Sequence, residues 1–448
     1  MRRSPSRILL LGLAAVLAAT MLSGCTSSPT KAPSPSSVVE VPVKVAKTSM
    51  GDVAYRVFGR GPDLVLVMGY AGTMQTWEPH FVDMLARHFR VVIFDNAGIG
   101  ATAPLKAPRS IDAMADQTSA LITALRLGAP DVLGWSMGSM IAQALAIRHP
   151  SQVNRLVLCA AFPGVGNAVQ PSQPDVAALT DGNVAAAQAD LFPAGQTLAA
   201  DAFGGDISAY PSAPASPASV IAVQKTAVLA WFDGLDPAGR EAARIAVATL
   251  VAAGASDRID AAANDRELAS QIPGSRLVLY AGAGHAFLFQ EGASFTFLVR
   301  RFLLGSPAPL TPTQLRRHYL ADYKTSTAAG YQWASALKAL TSSSSAQDLA
   351  RIDLRFADAE GTFDDELLGY GASGALGECV DAVVDANELI LRDVLALSDQ
   401  YGQKAGYWTS TITADGKIGL ARQNVLRRQL GLSPITTTTT TTTTTPSI

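Results

Sequence analysis

The residues best suited to covalent chemistry are Gly134-Trp135-Ser136-Met137-Gly138, which fit the pattern G-x-S-x-G. A serine hydroxyl is neutral near pH 7 and a poor nucleophile. It acts only when a base removes its proton and a carboxylate orients that base. The chemistry implied is attack on an acyl carbon. Of the 5 histidines, four have simpler explanations: His80 and His88 lie on a predicted helix, His149 ends another before Pro150, and His318 belongs to the C-terminal region. His285 follows the small-residue loop Ala281-Gly282-Ala283-Gly284 just after a predicted strand, a setting that presents an imidazole. Asp257, which lies beyond the strand that Gly254 ends, is the expected acid, and Asp260, three residues on, is its competitor.

Elements of a particular kind must hold such a set. Short Val-, Ile- and Leu-rich runs predict buried strands at Leu64 to Met68, Val91 to Asp95, Val132 to Trp135, Arg155 to Cys159, Thr249 to Ala253 and Arg276 to Tyr280. Between them, Met74 to His88, Ile111 to Leu127 and Gly138 to Arg148 carry apolar residues three and four apart, as helices packed on a sheet do. The alternation predicts an α/β fold with a mostly parallel sheet. Ser136 then stands on a strand-to-helix turn, and the flanking glycines leave room for neighbouring backbone. The long stretch between the fourth and fifth of these strands, about residues 162–246, predicts a lid insertion.

The rest of the chain frames this body. It has 448 residues with 35 basic and 37 acidic side chains, a net charge of −2 that argues against a nucleic-acid partner. Its 3 cysteines exclude a disulfide framework and leave at most one bridge, between Cys159 and Cys379. Residues 1–24 read as a signal peptide, with Arg2, Arg3 and Arg7 ahead of the apolar run from Ile8 to Leu22. Leu22-Ser23-Gly24-Cys25 resembles the bacterial lipobox, implying lipidation of Cys25 and a membrane anchor on the extracytoplasmic side. Residues 25–46 are expected to form a flexible tether, 47–305 the α/β domain, and 306–432 a mainly helical domain beyond the boundary Ser306-Pro307-Ala308-Pro309. Glu378, Asp381, Asp385, Glu388 and Arg392 are expected to form the solvated face of an amphipathic helix there. Residues 433–448 are a Thr-rich tail.

Residues from about Gly51 to Gly305 resemble the α/β-hydrolase fold superfamily, which carries its triad in the order Ser, Asp, His. Met68-Gly69-Tyr70 stands where that family has His-Gly-x, which implies an oxyanion hole from the backbone N–H groups of Tyr70 and Met137. Asp95-Asn96-Ala97-Gly98-Ile99-Gly100 is similar to the family's D-x-R-G-x-G turn, with Ala97 replacing the basic residue. The resemblance implies a serine esterase or lipase-like enzyme on a small-molecule ester or lipid, needing no metal or organic cofactor. Aminopeptidase, thioesterase, acyltransferase and peroxidase-like activities share the fold, and a non-enzymatic binding lipoprotein is the rival from another class. Tyr70, Phe162, Phe192, Trp231, Phe232 and Phe287 are the aromatics expected near the mouth.

Overall fold

The computed structural model describes residues 37–339, except 107–108, 165–167, 176–189, 195, 211–215 and 306–309, and separate stretches between 352 and 435. The leader with Cys25, the face of Glu378, Asp381, Asp385, Glu388 and Arg392, and the threonine tail lie outside the described residues. Two compact units are present, the first ending at Leu303 and the second beginning at Leu304.

The first unit is built on eight strands: β1 (Lys44–Thr48), β2 (Gly51–Gly59), β3 (Asp63–Val67), β4 (Arg90–Phe94), β5 (Asp131–Trp135), β6 (Leu156–Cys159), β7 (Thr249–Gly254) and β8 (Arg276–Tyr280). Their order in the sheet is β1-β2-β4-β3-β5-β6-β7-β8. The pairings β1/β2 and β2/β4 are antiparallel and all others parallel. The six strands expected from sequence are all there. The chain leaves β3 toward β4 on one side and returns to β5 on the other, so a crevice opens at the carboxyl ends of β3 and β5.

Residues along each central strand alternate between two faces, and each face is buried. Val65, Val67 and Val132 pack with Ile111, Met140 and Ile141, which lie on helices α2 (Ile111–Leu125) and α3 (Met137–Arg148). Leu64, Leu66 and Leu133 pack with Phe81, Phe287 and Phe295 on the opposite side. Burial on both faces explains why the strands read as continuous apolar runs.

Two expectations need correction. The run from Met74 to His88 is not one helix: Met74–Thr76 is a 3-10 turn, and α1 covers only Pro79–Ala86. Proline has no N–H to continue a helix, and Glu78 caps the new start by accepting from the amides of His80 and Phe81 at 2.8 and 2.7 Å. Nor is all of 25–46 a tether, because β1 begins at Lys44 and Val38 is buried. The Arg56 guanidinium also donates to the carbonyls of Val38, Val39 and Val41.

Between β6 and β7 the described part of the insertion holds α4 (Thr197–Ile207) and α5 (Ala218–Phe232). After β7 comes α6 (Ala262–Gln271), and after β8 come α7 (Phe287–Gln290) and α8 (Gly292–Leu304). The second unit is helical where described, with α9 (Pro312–Ala339) leading and a core that includes Leu315, Tyr319, Phe363, Leu367 and Leu426. Cys159 and Cys379 are free thiols. No helix among the described residues is long and apolar enough to cross a membrane.

Candidate active site

Ser136 sits between β5 and α3 with φ 58° and ψ −124°, a conformation that a residue bearing a Cβ rarely adopts. The turn is held from both sides. The Ser136 amide donates to Cys159 O at 2.9 Å, and the Ser139 amide and hydroxyl both return to Ser136 O. Close approach explains the glycines: a Cβ on Gly134 would lie 2.2 Å from Gly138 O, and one on Gly138 would lie 2.0 Å from Val67 O. The serine side chain is thereby turned out of the sheet, half-buried, into the crevice.

The loop after β3 runs beside it. A Cβ on Gly69 would stand 3.2 Å from Ser136 Cβ and 3.8 Å from its Oγ. Neither the Tyr70 amide nor the Met137 amide has an acceptor among the described residues. Asn96 Nδ2 donates to Met68 O at 2.8 Å, and Gln224 Oε1 accepts from the Ala71 amide at 2.8 Å, so the loop is tied to the D-x-x-G-x-G turn and to α5. In that turn Asp95 Oδ1 holds the Met74 amide at 2.7 Å, and burial pushes its carboxyl up to about 6.

His285 and Asp257 are brought together from the last two strand ends. Imidazole Nδ1 lies 2.7 Å from Asp257 Oδ2, and the two residues are only 3% and 8% exposed. Asp257 Oδ1 accepts from the amides of Ile259 and Asp260, each at 2.8 Å, which leaves Oδ2 for the imidazole. The imidazole pairs with Asp257 and not with Asp260, whose side chain turns away to Asn264. Burial by itself opposes the imidazolium, but the Asp257 carboxylate outweighs it and holds His285 above its ordinary range. Trp135, the neighbour of Ser136, donates from Nε1 to His285 O at 2.9 Å and so ties the histidine loop to the serine turn.

A cavity of about 160 Å³ opens at Ser136 and Met137, lined among others by Tyr70, Phe162, Val228 and Phe232. The other expected aromatics are not in its wall. Trp231 is core, its Nε1 bonded to Phe162 O, while Phe192 and Phe287 belong to the core on the opposite face of the sheet. Asn96, Gln224 and Trp135 were not singled out in the sequence as supports of the site, because each acts across a long sequence separation that no local pattern marks. Away from the crevice, Glu78, His80 and Asp206 form the one group among the described residues with three potential metal-ligand atoms within 4.8 Å. Both Glu78 oxygens already accept backbone N–H groups.

Strand order and serine turn together define a hydrolase-type α/β fold. The chain belongs to the alpha/beta hydrolase fold family, whose profile matches residues 62–292. BpoC of Mycobacterium tuberculosis, which carries a provisional non-heme bromoperoxidase name, is 32% identical over 267 residues, 56% of this chain and 98% of that one. Polyketide synthase ThaQ of Burkholderia thailandensis is 32% identical over 265 residues, 55% of this chain but only 12% of its own length. Among solved structures, a hydrolase from Pseudomonas aeruginosa has 28% identity and a TM-score of 0.49, covering 58% of this chain and 98% of that chain. The family supports a hydrolase function.

Proposed function

We propose that the protein is a serine hydrolase that cleaves carboxylic esters of small acyl groups, with Ser136 as nucleophile, His285 as base and Asp257 as the acid that orients the base. The observation that carries this reading is the buried 2.7 Å pair of His285 and Asp257, tied through Trp135 to the strained turn whose serine faces a cavity. His285 Nε2 takes the proton of Ser136 Oγ as the oxygen attacks the ester carbonyl. Asp257 keeps the Nδ1–H directed and stabilises the imidazolium. The amides of Tyr70 and Met137 receive the oxyanion, and His285 then protonates the leaving alkoxide. Water, deprotonated by the same imidazole, releases the acid and restores Ser136.

The cavity supports short acyl groups, since an apolar space of roughly 150 Å³ accommodates a group about the size of benzene. Exported, lipid-anchored placement through Cys25 rests on the leader and lipobox pattern and puts the activity at the extracytoplasmic face of the membrane.

A fluorophosphonate probe together with p-nitrophenyl acetate and butyrate tests the proposal. The full chain should be labelled and should hydrolyse both esters, while Ser136→Ala should do neither. Asp257→Asn should cost far more rate than Asp260→Asn. Undiminished hydrolysis by Ser136→Ala, or the reverse ranking of the aspartates, overturns the assignment.

A further inference from the structure

Behind the histidine–aspartate pair lies a second pair of acids that this chemistry does not use. Asp260 and Asp265 are both 0% exposed. Asp260 Oδ1 accepts from Asn264 Nδ2 at 2.8 Å, and Asp265 Oδ1 accepts from the Ala161 amide at 2.9 Å. The other oxygen of each, Asp260 Oδ2 and Asp265 Oδ2, meets no N–H or O–H donor. The two carboxyl groups are within hydrogen-bonding reach of each other. Two bare carboxylates facing one another in a dry interior would be two unmet acceptors and two like charges, each unfavourable by itself. No lysine or arginine among the described residues forms an ion pair with either acid. Arg258, on the same loop, is engaged instead with Asp175 and Asp190. One proton between the two carboxyl groups relieves both.

We propose that Asp260 and Asp265 share a proton and that this carboxyl pair is the positioning element for Asp257, an inference that rests on the triad reading above. The Asp260 amide is one of the two donors that fix Asp257 Oδ1. Its side chain is held, through the shared proton, by Asp265 on α6, which also holds Ala161 just beyond β6. Asn264, between them, bonds both the amide and the carbonyl of Val169, at 2.7 and 2.8 Å. The acid loop, α6, the end of β6 and the segment at Val169 are thus joined through one proton. The titratable groups facing the pair are Asp257 and His285 at the site and Cys159 beside Asp265. Burial pushes both carboxyls up, and the charge of Asp260 raises Asp265 further, well above the carboxylate range, so the bridging proton is retained at neutral pH. Its loss to solvent at higher pH leaves two facing carboxylates, which separate and take the Asp257 loop with them.

The test uses the full chain with Asp260→Asn, Asp265→Asn and both together. Either single change replaces the shared O–H by an N–H. The amide oxygen keeps the old bond from Asn264 or Ala161, and the NH₂ donates to the remaining carboxylate. Each single variant should fold, hydrolyse p-nitrophenyl acetate at pH 7 at a measurable rate, and lack the alkaline fall in kcat/KM that the parent shows. The double variant sets two NH₂ groups face to face, so its loss in melting temperature should exceed the sum of the single losses by several degrees. Additive or smaller losses in the double variant, or an alkaline limb unchanged in both singles, overturns the proposal. If the parent reacts with no serine probe and no ester, the triad reading fails, yet the melting series still decides whether the proton is shared.

Discussion

Ser136→Gly should make the protein more stable than Ser136→Ala, although both variants should be inactive. The backbone at Ser136, φ 58° and ψ −124°, is one that a side chain resists, and holding it costs about 1–3 kcal/mol. Alanine keeps the Cβ and therefore the strain, so comparison of the two variants isolates it. Glycine loses more freedom on folding, about 0.5–1 kcal/mol. It also forfeits the contact of a half-buried Cβ near Gly69, about 0.4 kcal/mol at half the value of a buried methylene. From the middle of the strain range about 1 kcal/mol remains in favour of glycine, about 2–4 °C in midpoint for a domain of this size. Guanidinium and thermal melts of the two variants measure it, and the shared loss of activity removes any contribution from bound substrate. A Ser136→Gly protein no more stable than Ser136→Ala would refute the view that the turn stores strain to present the hydroxyl.

Four further outcomes are expected. The kcat/KM profile should fall on the acid side with a midpoint above the ordinary histidine value near 6.5, because the Asp257 carboxylate holds His285 upward and only the neutral imidazole accepts a proton. In Asp257→Asn the residual activity should show that limb at lower pH, since the charge that offsets burial most is gone from the imidazole. Cys25→Ala should move the protein from the detergent phase to the aqueous phase on Triton X-114 partitioning, and identical partitioning of variant and parent would remove the lipobox reading. A chain ending at Gly305 should still be labelled by a serine probe, because every residue of the proposed machinery lies in the unit that ends at Leu303. A soluble truncated chain that no longer reacts would show that the helical unit is needed for the site.

The parts of this molecule that could be read in sequence are those whose cause is local. Strands buried on both faces show as apolar runs, and Ser136 is marked by glycines that its own turn requires, so both are visible within a few residues. β1 was not visible because an edge strand with the exposure of Lys44–Thr48 has little apolar alternation, and its place is set by pairing with β2 and by the Arg56 contacts. The pocket aromatics failed for a related reason: Phe162 and Phe287 look alike in sequence, and only the sheet between them decides that one meets the cavity and the other the opposite core.

The acid is the most telling case. Asp257 and Asp260 stand three residues apart in one loop, and no property of either residue alone ranks them. What separates them is the folded loop: Asn264 donates to the buried Asp260 carboxyl, while the amides of Ile259 and Asp260 take one oxygen of Asp257 and leave the other free for His285. The aspartate that does not meet His285 is therefore part of the reason its neighbour does. A substitution at Asp260 or Asp265 should act on the reaction only through the position of Asp257, as a change in pH profile and not as the loss of a reacting group.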